Sequence, residues 1–350
     1  MNKPAKRRAR RGQTGPAVTL TDVAREAGVS EITASRVVRN NGPVAAKTRE
    51  RVEAAVRKVG YVPNRVAGSL ASAGSDLVGV VLPSLSNIVF PDVLRGIHAV
   101  LSQRGYRPVV SVTDYSLEAE YEAIQALLSW RPAALIVTGL EHLDAARKLM
   151  QQCGVPVVEL MDIDGDPIDM AVGMSNRKAG GETARHLLSA GYRRIGYVGH
   201  NMERDLRANK RRSGFMATLK NAGVPCMGEV LIREPSSVQA GRHGLAELLA
   251  AHANLEAVYF SNDDMAIGGV FHCLAEGIQI PEELAIAGYN GLEIGQALPL
   301  PLCSVLTRRR EIGETAARCV LERLIDGAVA GKIVARKIEV PFQLIAGSTA

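Results

Sequence analysis

The chain has 350 residues, 47% hydrophobic and 22% charged, and contains no run of eighteen apolar residues, so no transmembrane helix is expected. Its N-terminus is basic and no apolar stretch follows, which argues against a signal peptide and predicts a cytoplasmic location. Residues 1–65 carry fifteen Lys or Arg and five Asp or Glu, a net charge of +10. Since the whole chain has a net charge of +6, the remaining residues have a net charge of −4. A basic block of this kind at one end indicates nucleic-acid binding.

Residues 1–16 form a basic arm. The stretch KPAKRRARRGQTGP has no apolar periodicity, which predicts disorder. Such an arm adds a salt-sensitive attraction to DNA phosphates. A solvated tail without this role is the alternative.

A DNA-binding domain is predicted over 17–63. Its first part, TLTDVAREAGVSEITASRVVRN, predicts two short helices with a tight turn between them. Thr19 and Asp22 have capping-box spacing, Gly28 can end the first helix in a left-handed conformation, and Ser30 can cap the second. This is the helix-turn-helix pattern, whose second helix lies in the DNA major groove. A helical hairpin within a larger core is the alternative.

A third helix and a linker follow. A loop over 41–47 precedes a helix that begins at about Thr48 and that Gly60 ends. Pro63 disfavours helix at the residue before it. Residues 64–75 contain RVAGSLAS, which is too short to be a stable helix alone and is weakened by its glycine. We predict a hinge helix or linker there, with a merely flexible linker as the alternative.

Three of these segments carry a family resemblance. TLTDVAREAGVS, TASRVVRN and TRERVEAAVRKVGYVPNRVAGSLAS resemble the DNA-binding headpiece of the LacI-type (lactose/purine repressor) family of bacterial regulators. The resemblance runs from Val18 to about Ser72, and the rest of the chain resembles the family to about Ile345. VVLPSLSNIVFPDVLRGI, VPVVELMD, SNDDMAIGG and AIAGYNGLEIGQ are similar to the gluconate-operon repressor branch. The resemblance implies a hinge helix that pairs with its dimer mate in the minor groove, and a bilobal core.

The DNA-contacting residues follow from the pattern and the resemblance. Glu31, Ile32 and Arg36 are expected at the exposed start of the second helix, where they would read bases. Arg36 suits guanine O6 and N7, and Glu31 suits cytosine N4. By position in the family, Leu70 would be the apolar wedge of the hinge helix. The other expected contacts are Thr19, Leu20, Ser30, Thr33, Ser35, Asn40, Asn64, Arg65 and Ala67.

A two-lobed α/β core is predicted over 76–347. The predicted strands are LVGVVLP, PVVSVT, ALIVTGL, PVVELMD, RIGYVG, EVLI, AVYFSND, LAIAGYN, CSVLT and KIEVPF. Helices are predicted near 90–104, 118–130, 141–152, 177–190, 208–222, 237–252, 264–276 and 308–327. Such alternation predicts doubly wound parallel sheets, and there is material for two, the first lobe ending near Ser175. The resemblance implies the same periplasmic-binding-protein-like core.

A ligand cleft is predicted beyond the carboxyl ends of the strands. Polar groups and one aromatic follow the predicted strands at Ser84, Ser86, Asn87, Phe90, Asp162, Asn262, Asp263 and Asn290. This set suits a small polyhydroxylated ligand. The resemblance implies that Arg211 reaches into the cleft, where it would pair with a carboxylate. Arg204 and Arg207 are alternatives for this cation.

Other classes of protein are disfavoured. The chain has no G-x-G, no Walker A sequence and no HExxH, and its histidines show no ligand spacing, so neither an enzyme, a cofactor nor a metal site is predicted. Its five scattered cysteines predict reduced thiols. A sugar-binding transport protein would need a signal peptide, and an architectural DNA-binding protein would have no use for a polar cleft.

The sequence therefore predicts a ligand-responsive repressor. It would act as a homodimer on a near-palindromic double-stranded operator, and the absence of leucine heptads near the C-terminus disfavours a tetramer. Arg211 with its hydroxyl-binding neighbours favours a sugar acid such as gluconate or 2-ketogluconate as effector. A neutral sugar or another small metabolite is the alternative, because many family members have Asp where this chain has Asn290.

Overall fold

The computed structural model describes residues 18–39, 41–62, 75–200, 202–325 and 335–350. The predicted basic arm, Asn40 and the hinge residues Asn64, Arg65, Ala67 and Leu70 lie outside the described residues. The chain divides into two compact units, Met1–Ala73 and Gly74–Ala350.

The N-terminal unit contains three helices: α1 (Leu20–Ala27), α2 (Glu31–Val38) and α3 (Ala46–Val59). The predicted capping box is confirmed, because the Thr19 hydroxyl accepts from the Asp22 N–H and the Asp22 carboxylate accepts from the Thr19 N–H at 2.9 Å. Gly28 ends α1 with φ 62°, and Ser30 caps α2 through the Thr33 N–H. The third helix begins slightly earlier than predicted.

The headpiece has its own small core. It consists of short side chains from all three helices, namely Val23, Ala24, Ala27, Ala34, Val37, Val52 and Ala55. Short side chains allow the three helices to approach closely, and Leu20 and Val38 pack at the edge of this cluster. Arg51 of α3 donates to the main-chain oxygens of Ala27 and Gly28, which ties α3 to the end of α1.

The second unit contains two six-stranded sheets. In the first lobe the strand order is β11-β5-β4-β3-β1-β2, and in the second it is β12-β10-β9-β8-β6-β7. The first-lobe strands are β1 (Leu77–Leu82), β2 (Arg107–Val112), β3 (Ala134–Thr138), β4 (Val157–Leu160), β5 (Met170–Gly173) and β11 (Arg336–Glu339). The second-lobe strands are β6 (Ile195–His200), β7 (Gly228–Ile232), β8 (Ala257–Phe260), β9 (Ala285–Asn290), β10 (Cys303–Leu306) and β12 (Gln343–Ile345).

Helices pack on these sheets. Those of the first lobe are α4 (Val89–Leu101), α5 (Leu117–Ser129), α6 (Asp144–Gln152) and α12 (Arg309–Ile325). Those of the second lobe are α7 (Asn176–Ser189), α8 (Leu206–Asn221), α9 (Val238–Ala251), α10 (Asp263–Glu276) and α11 (Glu293–Gln296). The central strands are buried on both faces, as the apolar runs of β1 and β3 indicate. Among the described residues, no helix is long and apolar enough to span a membrane.

The predicted α/β architecture is confirmed, with two differences. The ten predicted strands and eight predicted core helices are present, but the strands β5 and β12 and the four-residue helix α11 were not predicted. The two strands are very short, and β12 is partly exposed, so neither has a clear periodic pattern. β12 also pairs antiparallel with β10, so the second sheet is parallel except at this edge.

The two lobes share three connections. The chain passes from β5 to α7, from β10 back to α12, and from β11 to β12. Because the third connection follows β11 directly, the C-terminal segment contributes an edge strand to each sheet. The several connections expected between the lobes are therefore present, and we expect the lobes to hinge at them.

A buried charged triad lies under the first-lobe sheet. The side chain of His142 is fully buried, with Nδ1 2.6 Å from Glu120 Oε1 and Nε2 3.2 Å from Glu159 Oε1. Burial opposes a charge on the imidazole, but the hydrogen bonds to both glutamates outweigh it and raise the pKa of His142 to about 9. The protonated ring joins α5, β4 and the loop after β3.

This triad predicts a loss of stability at alkaline pH. Because the pKa of His142 is raised above its ordinary value, its stabilisation is fully present below about pH 6.5 and is lost as the pH rises through about 9. His142→Gln should lower the free energy of unfolding at pH 6 by roughly 3 kcal/mol, since two buried carboxylates lose their cation. Denaturant titrations at pH 6, 7.5 and 9 measure this, with the exposed His98→Gln as control. Equal pH dependence in wild type and His142→Gln would contradict it.

Candidate ligand cleft and DNA-contacting surface

One face of α2 is open. Ala34 and Val37 are buried against α1 and α3, whereas Glu31 and Arg36 are exposed and Ile32 is 67% exposed. Thr33 and Ser35 are half-buried beside this open face. The geometry places the predicted base-reading side chains together on the free side of the second helix, as reading a major groove requires.

A cavity of about 530 Å³ lies between the lobes of the core. Its first-lobe wall follows β1 and β2, and its second-lobe wall follows β6, β7 and β8. The lining residues are Ser84, Ser86, Asn87, Asp114, Tyr115, His200, Arg204, Asp205, Pro235, Ser236, Ser237, Val238 and Asp264. In each sheet these strands adjoin the point where the strand order reverses, which is where open α/β sheets bind ligands.

The first-lobe wall contains three of the predicted residues. Ser84 turns the chain after β1, because its hydroxyl accepts from the N–H groups of Ser86 and Asn87 at 3.2 and 3.3 Å. Asn87 Nδ2 lies 3.4 Å from the Tyr115 hydroxyl. Burial, and the negative charge of Asp205, raise the pKa of Tyr115 to about 12, so its hydroxyl stays a donor at neutral pH. This wall therefore presents neutral hydroxyl and amide groups together with the carboxylate of Asp114.

The second-lobe wall contains a preorganised His–Asp pair. His200 ends β6, with Nδ1 2.9 Å from the Ser261 hydroxyl and Nε2 3.5 Å from Asp205 Oδ2. Asp205 also caps α8 by accepting from the Ala208 N–H at 3.0 Å. Burial opposes its charge, but the His200 hydrogen bond and the charge of Arg207 hold the pKa of Asp205 well below its usual range. Asp205 is therefore a fixed negative charge in the cavity wall.

The three candidate arginines, Arg204, Arg207 and Arg211, lie in three different environments. Arg204 is exposed and lines the cavity. Arg207 lies over the Phe90 ring, 5.7 Å from its centroid. Arg211 is buried over the Tyr289 ring at 3.9 Å.

Arg211 lacks a direct anionic partner. It donates to Asn176 Oδ1 at 3.1 Å and to the Ser261 main-chain oxygen at 3.2 Å, and its Nε has no partner among the described residues. None of the ion pairs among those residues includes Arg211. Ser261 also contacts His200 of the cavity lining through its hydroxyl at 2.9 Å, so Arg211 lies one residue behind the cavity wall.

Two predicted cleft residues have structural roles instead. Asp162 is fully buried, and its oxygens accept from Lys210 Nζ and from the Asp164 N–H. Asp263 is also fully buried; its oxygens accept from the Ser304 hydroxyl and the Leu292 N–H, both at 2.6 Å, and hold the turn after β9. Neither residue belongs to the cavity lining, so this geometry does not support the expectation that their carboxylates bind hydroxyl groups of a ligand.

Three other predicted residues lie behind the lining. Phe90 is buried under Arg207, and Asn262 caps α10 through the Met265 N–H at 3.1 Å. Asn290 ends β9 with φ 123°, a backbone conformation that L-residues rarely adopt. Its main-chain oxygen accepts from the Thr307 hydroxyl and from Arg309.

The sequence prediction missed Asp114, Tyr115, His200 and Asp264. The first three lie at or directly after the carboxyl ends of β2 and β6, so the same strand-end argument applied to every strand would have found them. Asp264 is half-buried in the first turn of α10, and burial raises the pKa of its carboxyl while the charge of His200 opposes that rise. With Asp114, it supplies carboxylate oxygens at the lining.

A helix-turn-helix unit together with a two-lobed α/β core around a polar cleft defines a ligand-responsive DNA-binding regulator. The chain matches the family described as "Bacterial regulatory proteins, lacI family" over residues 19–64, and "Periplasmic binding proteins and sugar binding domain of LacI family" over 75–347. It belongs to the LacI family and is a transcriptional regulator, not an enzyme.

Individual relatives agree with this assignment. The chain is similar to the HTH-type transcriptional regulator GntR of Pseudomonas aeruginosa, with 38% identity over 330 residues covering 94% of each. A LacI family transcriptional regulator from Silicibacter pomeroyi has a TM-score of 0.89 at 44% identity, over 95% of this chain and 99% of that one. The lac repressor dimer bound to operator and the anti-inducer ONPF has a TM-score of 0.79 at 26% identity, over 95% and 99%.

Proposed function

We propose that the protein is a cytoplasmic repressor of sugar-acid metabolism genes, and that a sugar acid such as gluconate or 2-ketogluconate in the interlobe cavity modulates its affinity for operator DNA. The proposal goes beyond membership of the LacI family in naming the effector class. The similarity to GntR regulators supports it.

The observation that carries the effector class is the environment of Arg211. A buried guanidinium without a carboxylate partner is unfavourable unless another anion approaches it. Arg204 adds a positive charge at the lining, whereas Arg207 is already paired with Asp205 at 3.9 Å, and Asp205 is also engaged by His200 and its own helix terminus. A ligand carboxylate would supply the anionic partner that Arg211 lacks.

The hydroxyl groups of the ligand have separate partners. Asp114 and Asp264 provide carboxylate acceptors at the lining, and Ser84, Asn87 and Tyr115 provide hydroxyl and amide groups. These groups fit a polyhydroxylated chain better than an aromatic base, because Tyr115 is the only Phe, Tyr or Trp side chain in the described lining.

The test is isothermal titration against gluconate, 2-ketogluconate, 6-phosphogluconate, glucose and ribose. We expect one of the acids to bind at least tenfold more tightly than glucose. Tighter binding of a neutral sugar would support the alternative effector class and overturn this one.

On DNA, the protein would act as a homodimer. Two headpieces would place their α2 helices in successive major-groove half-sites of a near-palindromic operator. Phe271 and Leu274 lie about one turn apart on α10 and are 44% and 68% exposed, which supports burial of this face in a dimer. The lac repressor structure is itself a dimer on operator.

Arg36→Ala should relax operator specificity. We expect a loss of about 1–3 kcal/mol for the specific site, because Arg36 would form a bidentate contact to a guanine. Lys58→Ala is the matched control: it removes one positive charge from the end of α3, where Lys58 pairs with Glu26. Fluorescence anisotropy on the operator and on its single-base variants distinguishes them. Arg36→Ala would disprove the assignment if it weakened all duplexes equally.

A further inference from the structure

Lys210 joins the two lobes through buried polar contacts. It lies on α8 of the second lobe, and its Nζ is 2.5 Å from Asp162 Oδ2 and 3.1 Å from the Asp164 main-chain oxygen. It also forms an ion pair with Glu141. Glu141 follows β3 and Asp162 follows β4, both in the first lobe. One ammonium group therefore bridges three oxygens across the lobe boundary.

The loop that carries Asp162 is fixed from both sides. Asp162 Oδ1 accepts from the Asp164 N–H at 2.9 Å, and Asp164 Oδ2 accepts from the Arg177 N–H in the first turn of α7 at 2.8 Å. Asn176 Nδ2 donates to the Met161 main-chain oxygen at 3.1 Å. Met161 itself has φ 68°, so the loop has a strained conformation that its neighbours enforce.

Glu141 is fixed by its neighbour in sequence. His142 is held between Glu120 and Glu159, as described above, so the loop after β3 cannot shift without breaking the triad. Glu141 and Asp162 both follow first-lobe strands, whereas Lys210 lies on a second-lobe helix. Movement of these strands relative to α8 must therefore act on the Lys210 contacts.

These contacts favour one arrangement of the lobes. The Lys210 side chain is 10% exposed and Asp162 is fully buried. Burial opposes the charge of Lys210, but its hydrogen bonds to Asp162 and Glu141 outweigh this and raise its pKa. If the lobes rotated so that Lys210 left Asp162, a buried carboxylate would lose its only cation partner among the described residues, which is unfavourable.

The same helix begins in the cavity wall. Asp205 caps α8 and Arg204 precedes it, and both line the cavity. Lys210 is five residues after Asp205, about 7.5 Å along the helix axis. Between them, Arg207 lies over Phe90 of the first lobe. A ligand that contacts Arg204 or Asp205 therefore acts on the helix that carries the interlobe contacts.

We propose that Lys210, with Glu141 and Asp162, is an interlobe clamp that sets the equilibrium between lobe arrangements and so the affinity for operator DNA. The clamp rests on the proposed function, because it assumes that the arrangement of the lobes governs operator binding. It does not depend on which molecule occupies the cavity.

The test uses full-length protein and a DNA duplex selected by the wild type from a random library. Fluorescence anisotropy gives the Kd of each variant for this duplex without ligand and with D-gluconate. The double variant Lys210→Met/Asp162→Asn removes both buried charges and leaves neither unpaired. The Glu141→Gln variant should disturb the fold less than the double variant, because the Glu141 side chain is 35% exposed. Lys220→Met, an exposed lysine on the same helix, is the control.

Without ligand, we expect the double variant to change the Kd at least tenfold and Glu141→Gln to change it at least threefold in the same direction. Lys220→Met should change it less than twofold, and binding to non-specific DNA at low salt should be the same in all. A purely structural role would reduce the folded fraction without changing the Kd of the active molecules.

Unchanged Kd values in folded Glu141→Gln and double-variant proteins would overturn the clamp. If the double variant does not fold, the Glu141→Gln comparison alone decides, with an unchanged Kd again overturning it. Failure of D-gluconate to alter the wild-type Kd would instead refute gluconate as effector, and it leaves the ligand-free comparison intact.

Discussion

A chain that lacks residues 1–73 should bind no operator DNA. The described headpiece contains the open α2 face. The first 65 residues have a net charge of +10, whereas the rest of the chain has a net charge of −4. Phosphate attraction and base reading would both be lost with the headpiece. Specific binding is tighter than non-specific binding by a factor of roughly 10³–10⁷ in this class of complex, so the Kd for operator DNA should rise by more than about a thousandfold.

The remaining core should fold and keep its ligand affinity. Gly74–Ala350 is a compact unit by itself, and every residue that lines the interlobe cavity belongs to it. Circular dichroism would show the fold, titration with gluconate would show the ligand site, and a gel shift would show DNA binding. A truncated core that still retards an operator fragment would mean that DNA contacts lie outside the headpiece.

The headpiece was predictable because its signals are local. The capping box of Thr19 and Asp22, the glycine at position 28 and the serine cap at position 30 each act within one turn of helix. Such contacts depend on residues three or four apart, so their spacing in the sequence is sufficient to place them. Only the start of α3 differs, where Ala45 makes no side-chain cap.

The cleft was only partly predictable, because strand order is not a local property. The strand-end argument selected residues after β1, β4, β8 and β9, but the cavity lies at the ends of β1, β2, β6, β7 and β8. In the first sheet β3 separates β4 from β1, and in the second β8 separates β9 from β6. Asp162 and Asn290 are therefore displaced from the lining by one intervening strand, although both follow a strand as predicted.

The environment of Arg211 depends on long-range packing. α7 and α8 cross at glycines, where a Cβ on Gly180 would lie 1.9 Å from the Arg211 main-chain oxygen and one on Gly214 2.0 Å from that of Arg177. This close approach brings Arg211 to Asn176, and the second sheet brings it to Tyr289. The sequence indicated a cation near this position but gave no means to distinguish a buried arginine from an exposed one.

Arg211→Ala should weaken binding of a sugar acid by about 2 kcal/mol or more, or roughly thirtyfold. Hydrogen bonds to charged groups contribute about 1.5–3 kcal/mol, and the guanidinium has an unpartnered Nε to offer. Binding of a neutral sugar should change much less, because it makes no ion pair. The measurement is isothermal titration of gluconate, 2-ketogluconate and glucose against wild type and variant.

Two further variants separate charge from packing. Arg212→Ala is the matched control, because Arg212 is the next residue on α8 and pairs with Glu229 instead; its acid affinity should stay within twofold of the wild type. Arg211→Met keeps most of the apolar stem over Tyr289 while removing the charge, so it should lose acid binding as Arg211→Ala does and remain better folded. If acid binding survives in folded Arg211→Met and is lost in Arg204→Ala, then the exposed arginine at the lining is the effector cation, and the assignment of Arg211 is wrong.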